Sequence, residues 1–283
     1  HVASAFVCGA ANNGDLVIKF GGAADILLSS DKPVNDRRLF IDYHIVPGLF
    51  FSNGCMAAGG NLLDWIIRNW AGGEAASAQS AGLTMHQRLD KLAEPVDTEL
   101  LFLPYILGEK TPLMDPYASG TMIGLGLHHG LRDVWRAALE GIVFGMRHHV
   151  ETFAENELDI TRVFAADGGA ASDLWLQIAA DVLEHPVTRI NKHPGSCLGA
   201  AFVAAIGVGA IAQWSDIGSY VEEGRTFFPN SDAIHRYRRK YRLWRETYDR
   251  LRTLYPRMQK TASEIEPPGF AGNFPARGRD AGS

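Results

Sequence analysis

Near the C-terminus, Ile234, Tyr237, Tyr241, Trp244, Tyr248, Leu251 and Tyr255 alternate steps of three and four. Residues so spaced share one face of an α-helix, which predicts a single long amphipathic helix there. A second long helix is predicted over 133–150, where Val134, Ala138, Ile142, Met146 and Val150 recur every fourth position. Leu62, Leu63, Ile66, Ile67 and Trp70 follow Gly59-Gly60-Asn61 at helical spacing, so Gly60 should open a helix. Ser172 reads as the N-cap of a helix ending at Leu183. The small residues of 198–208 predict a helix suited to close packing against a sheet, and residues 1–11 read as the tail of another.

Short apolar runs at 16–20, 26–28, 100–106 and 163–166 read as strands. The first two are joined by the turn Gly21-Gly22-Ala23-Ala24, and the last runs into Gly168-Gly169. The Gly/Ala/Ser-rich stretch 71–79 and the polar stretch Gly108-Glu109-Lys110-Thr111-Pro112 read as loops. Periodicity stops after Arg257; with Pro267-Pro268 and scattered glycines, 259–283 is expected to be a disordered tail. Strands interspersed with helices over 1–258 give an α/β layered domain.

Composition narrows the class. The 283 residues are 46% hydrophobic and 21% charged, ordinary for a globular chain. A net charge of −5 argues against a nucleic-acid partner, and no apolar run reaches the roughly 20 residues of a membrane span. The first residues lack the basic start of a signal peptide, and Cys8, Cys55 and Cys197 form no CxxC. The expectation is a cytoplasmic protein with reduced thiols.

Candidate chemistry gathers at the glycines. Backbone amides at Gly21-Gly22, Gly59-Gly60, Gly168-Gly169 and Gly199 can face an anion, aided by the positive end of a helix dipole. Singly, each is ordinary turn geometry. The sequence has no GxxxxGK[ST] P-loop, and Gly124-Leu125-Gly126 lacks the third glycine of a dinucleotide fingerprint. In His128-His129 and His148-His149, neighbours on a helix point about 100° apart, so the pairs read as surface or loop histidines and no metal site is expected. Arg236, Arg238, Arg239, Lys240, Arg242 and Arg245 read as the solvated face of the last helix.

The segments between the glycines carry a resemblance. Residues 120–140 resemble the second signature of the FGGY carbohydrate kinases, with Gly124-Leu125, Asp133-Val134 and Ala137-Ala138-Leu139-Glu140 in order. The loop 108–112 is similar to the family's GER-x-P. Residues 167–187 look like its GGG-x-x-S-x-x-W-x-Q-x-x-AD segment, and 197–209 resemble its LGAA helix. The resemblance implies an α/β fold of the actin-like ATPase (ribonuclease H-like) kind, a mixed sheet flanked by helices. It also implies ATP and Mg²⁺ as cofactors, a sugar or polyol as substrate, and a separate N-terminal domain as partner, with a homodimer open.

By the same resemblance Gly168, Gly169 and Asp173 line an adenine pocket, with Gln177 one turn on and Gly199 near the nucleotide. Gly21, Gly22 and Gly60 approach the phosphates, beside Ala23 and Asp64. Asp173 also reads simply as a first-turn acid suited to the helix dipole. The family's catalytic aspartate is expected immediately before His1. Two departures stand out. The run Gly22-Ala23-Ala24 lacks the family's threonine hydroxyl, and Asp64 stands where some relatives carry glutamine. The first keeps open an alternative, an actin-fold nucleotide-binding or sensor module without catalysis.

Overall fold

The computed structural model describes residues 1–192 and 195–264. A short helix α1 (Val2–Phe6) leads into β1 (Asp15–Phe20), β2 (Ala24–Ser30), β3 (Phe40–Tyr43) and β4 (Phe50–Met56). Three helices follow, α2 (Gly60–Trp70), α3 (Ala75–Ser80) and α4 (Met85–Ala93), then a hairpin of β5 (Leu101–Leu103) and β6 (Thr121–Ile123). The long α5 (Leu131–Glu155) precedes β7 (Arg162–Ala166), α6 (Asp173–Leu183), β8 (Val187–Asn191), α7 (Gly195–Gly207) and β9 (Glu222–Phe227). Helices α8 (Ser231–Leu251) and α9 (Tyr255–Glu264) close the described chain.

Seven strands form one mixed sheet in the order β3-β4-β2-β1-β7-β8-β9. β1 sits at its centre, antiparallel to β2 and parallel to β7. Strand alternation sends Leu16, Ile18 and Phe20 into the large core beneath α5 and α6. Val17 points the other way, into a smaller core with Ala5 and Cys8 of the α1 segment. Helices therefore cover both faces of the sheet, as an α/β layered domain requires.

Helix α5 is buried around most of its circumference, packed against α6, α4, α2 and the hairpin. That overturns the surface reading of His148 and His149, which are both buried. A period-four pattern marks one apolar face but is silent about a helix enclosed on all sides. The helix also starts earlier than predicted, because Asp133 reaches back to accept the Gly130 N–H at 2.8 Å.

Four other expectations are corrected. The stretch 71–79 is not a loop: after a tight turn at Gly72–Glu74 its alanines form α3, in keeping with alanine's helix propensity. The strand expected at 100–106 is only β5, since Pro104 supplies no N–H to the ladder. The last helix breaks after Leu251, because Pro256 lacks the amide needed to continue it. The chain then restarts as α9, which returns Tyr255 to the core; of the tail expected at 259–283, residues 259–264 are helical instead, and the rest lies outside the described residues. Finally, α7 packs on α1 rather than on the sheet, with Gly199 and Phe202 buried.

The basic run on α8 is more than a solvated face. Arg236 pairs with Asp97, Arg238 with Glu184, Arg245 with Glu151, and Lys240 with buried Glu140. These pairs tie α8 to the α4–β5 connection, α6 and α5.

Candidate functional site

Sheet register brings three glycine segments to one edge. Parallel pairing sets Lys19 opposite Ala166, so the turn after β1 lies beside Gly168-Gly169 after β7. Antiparallel pairing sets Ala24 opposite Met56, which delivers the Gly59-Gly60 corner to the same turn. There the Gly60 N–H donates to the Gly21 carbonyl at 2.8 Å, and the Asn61 N–H to Gly22 at 3.0 Å. A Cβ on Gly60 would lie 2.9 Å from the Gly21 oxygen, and one on Gly59 2.7 Å from the Ala23 carbonyl carbon. Glycine is required here because two backbones touch. The Gly60 amide is committed to the turn carbonyl, so Gly60 acts by fastening the turn to α2.

These segments rim a cavity of about 550 Å³. Its apolar wall is Phe20, Leu63, Trp135, Leu139 and Trp175. Trp175 is fixed by donating its indole N–H to the Leu139 carbonyl at 3.1 Å and by packing on Phe20, ring centroids 4.5 Å apart. A Cβ on Gly169 would meet Trp175 at 2.5 Å, so this glycine lets the ring close under the rim. The opposite wall is the start of α4: Thr84, His86, Gln87 and Asp90. Thr84 and Gln87 form a reciprocal capping box that sets where α4 begins. Asp90 accepts the Trp135 indole N–H at 2.8 Å. Burial pushes its carboxyl above the ordinary aspartate range, while hydrogen bonds from Trp135 and Ser172 pull the other way.

Of the residues expected at the site, Gly21, Gly22, Gly60, Asp64, Gly168 and Gly169 line this cavity, and Ala23 belongs to the same turn. Asp64 faces His86 at 3.2 Å, spanning α2 to α4 with both side chains exposed. Asp173 does not line the cavity; its carboxylate lies between Arg189 and Arg225. Gln177 donates to Asp181 and to the Phe228 carbonyl, both at 2.9 Å. Gly199 allows α7 to approach α1, since a Cβ there would lie 2.8 Å from the Ala3 oxygen. The α4 wall and Trp135 were missed by sequence reasoning. The Thr84-x-x-Gln87 capping box was legible, but nothing local says that its helix folds over the glycine rim.

The loop 108–112 braces the corner from behind. The Glu109 carboxylate accepts the Ala57 N–H at 2.7 Å and the Lys110 N–H at 2.8 Å. Burial pushes its carboxyl up to about 7. Thr111 accepts the Cys55 N–H at 2.5 Å and meets His149 Nε2 at 2.9 Å.

Glu99 stands near His128 and His129, a triplet whose donor atoms lie within 4.8 Å of one another. His129 Nδ1 accepts the Gly126 N–H at 2.9 Å, so in the neutral ring Nε2 carries the proton. That nitrogen lies 3.7 Å from the Glu99 carboxylate. The ring therefore presents a donor where a metal ligand needs a lone pair.

Residues 17–208 match the family model described as FGGY family of carbohydrate kinases, C-terminal domain. The xylulose kinase of Bacillus subtilis is 27% identical over 258 residues, 90% of this chain and 50% of that protein. The gluconokinase of Bacillus licheniformis is 29% identical over 236 residues, covering 81% and 46%. A crystal structure of xylulose kinase from Rhodospirillum rubrum superposes with a TM-score of 0.82 at 42% identity, over 90% of this chain and 51% of that one. The architecture shared with it is the actin-like ATPase fold. The chain thus spans about half the length of the curated relatives it matches. No helix among the described residues is long and apolar enough to cross a membrane.

Proposed function

Because the chain belongs to the FGGY family of carbohydrate kinases, as its C-terminal domain, we propose that it is the nucleotide-binding half of an enzyme transferring the γ-phosphoryl group of ATP to a hydroxyl of a sugar or polyol. The observation that carries this reading is the shape of the cavity, apolar and aromatic on one wall and rimmed by glycine backbone. An adenine ring suits the wall of Phe20, Leu139 and Trp175. A phosphate chain suits the Gly21-Gly22 turn, where the absence of side chains lets it approach the backbone closely. Similarity to xylulose kinases supports a ketopentose as acceptor.

The roles divide accordingly. The tryptophan wall and α4 bind and orient the base end, and the glycine rim holds the phosphate end. Positioning of this kind supplies much of the catalysis in phosphoryl transfer. Mg²⁺ bound with the nucleotide would supply positive charge that offsets the charge of the phosphates. The hard oxygen donors it needs are available as Asp64 on the cavity rim and Asp167 beside the turn, each already facing a basic side chain. The proton of the acceptor hydroxyl goes to an aspartate expected just before His1, at the head of α1. Sugar contacts and closure over the phosphates belong to the other half, so this chain alone should turn over little or no substrate.

The test is calorimetric titration with Mg-ADP, alongside Gly168→Leu. A Cβ on Gly168 meets no protein atom within 4 Å, so the fold has room for a leucine side chain at this point of the cavity rim. Saturable binding by the parent chain, lost in a variant of unchanged Tm, supports the reading. Equal binding by both proteins would place the nucleotide elsewhere. The alternative of a module without catalysis rests on the missing hydroxyl at Ala23. Turnover by a two-domain protein containing this chain would remove it.

A further inference from the structure

The cavity wall uses one face of β1, through Phe20; the residue before it, Lys19, points to the α1 face, where its ammonium lies 3.5 Å from the Asp167 carboxylate. The lysine side chain is only 13% exposed and the aspartate 28%, so this pair is screened far less than a surface one. Both residues stand at strand ends by the rim: Lys19 is the penultimate residue of β1, next to Phe20-Gly21, and Asp167 follows β7, next to Gly168. The Asp167 Oδ2 lies 3.7 Å from where a Cβ of Gly21 would be. The pair therefore stands at the foot of the turn that the nucleotide reading gives to the phosphates.

Asp167 holds this position at a conformational disadvantage. Its backbone has φ 72° and ψ −176°, a region that glycine enters freely and other residues only under strain. A strained carboxylate beside a phosphate turn calls for a reason, and Lys19 supplies one. The turn Gly21-Gly22-Ala23 has no side-chain donor of its own, and Lys19 is the cation next to it in sequence. The carboxylate anchors that ammonium against the rim.

Resting on the nucleotide reading above, we propose that Lys19 is the phosphate-reading cation of this site and that Asp167 is the residue positioning it. Together they make binding depend on the phosphates rather than on the base alone. Lys19 supplies a charge contact where the turn offers only backbone. Asp167 prevents the ammonium from drifting into solvent, at the expense of some repulsion toward a nucleotide that carries no metal.

The experiment titrates the 283-residue chain with adenosine, metal-free ADP and Mg-ADP, using the parent, Lys19→Met and Asp167→Asn. Lys19→Met should weaken both forms of ADP about tenfold while adenosine stays within about twofold, since only the charge contact is lost. Asp167→Asn, isosteric and so under the same backbone strain as the parent, should tighten metal-free ADP several-fold and leave adenosine unchanged. A purely structural pair would instead lower affinity for all three ligands together, and that result overturns the proposal. Parent-like ADP binding by Lys19→Met, with nucleotide bound normally by the parent, overturns it while leaving the nucleotide site intact. If the parent binds neither adenosine nor ADP, the nucleotide reading fails and the pair's assigned role fails with it.

Discussion

Glu109 is a carboxylate only 6% exposed, accepting two backbone N–H groups on one oxygen, Oε1. Its pKa of about 7 against an ordinary 4.5 makes it a proton-linked residue. Between those values the folded chain keeps a proton that the unfolded chain has released. Stability from this group is therefore full below about pH 4.5 and is lost as pH rises through 7. Glu109→Gln keeps an acceptor for both amides and removes the titration. The stability of the parent relative to this variant should fall on the order of 2 kcal/mol from pH 5 to pH 8; a gap independent of pH in urea melts would refute this. The glycine turns were legible in the sequence as exposed backbone, and the resemblance of the segments between them singled them out from ordinary turns. The destination of Asp173 was not, because the arginines that hold it come from β8 and β9, 16 and 52 residues further on.

Among elements, α5 and α8 are joined by a buried relay. Arg136 donates to Glu140 and to the Tyr237 hydroxyl, both at 2.8 Å, and that hydroxyl donates to Glu140 at 3.1 Å. Lys240 adds a second cation to the same carboxylate. Removing one partner strands the others in a poorly solvated site. Glu140→Ala should cost about 3–5 kcal/mol in chemical denaturation, with part of the loss recovered when Arg136 is also made apolar. A loss below about 1 kcal/mol would mean that water replaces the carboxylate. Helix existence was read correctly for α2, α5 and α8 from their apolar spacing and for α6 from its Ser172 cap. It failed at α3, where alanine content decides; the Pro256 break after α8 and the full enclosure of α5, which hides two histidines, were also not legible.

For the whole molecule, acid is the sharpest probe. Burial holds His44 and His149 down to about 4 and His148 to about 2. Each is neutral when folded but takes a proton when unfolded below about 6.5, so its contribution is present above that pH and lost as pH falls through it. Glu109 acts in the opposite sense over much of the same window, as do Asp90 and Asp181, whose carboxyls burial also raises. The three rings should each take up about one proton on unfolding near pH 5, and Tm should drop below pH 6; a Tm unchanged down to pH 4.5 would show the rings to be hydrated. The α/β class was legible from alternation alone. The strand order was not, since local pattern cannot say that β1 will lie between β2 and a strand that begins at Arg162. That same pairing joins residues 147 apart, marked by Arg162 on Asp15. Closing so large a loop is a slow step in folding. The glycine rim then exists only after the two ends of the sheet have met, whereas the α5 and α8 helices can form from local contacts. On refolding from denaturant, helical circular dichroism should return first and nucleotide affinity last, which would make ligand binding a clock for completion of the sheet.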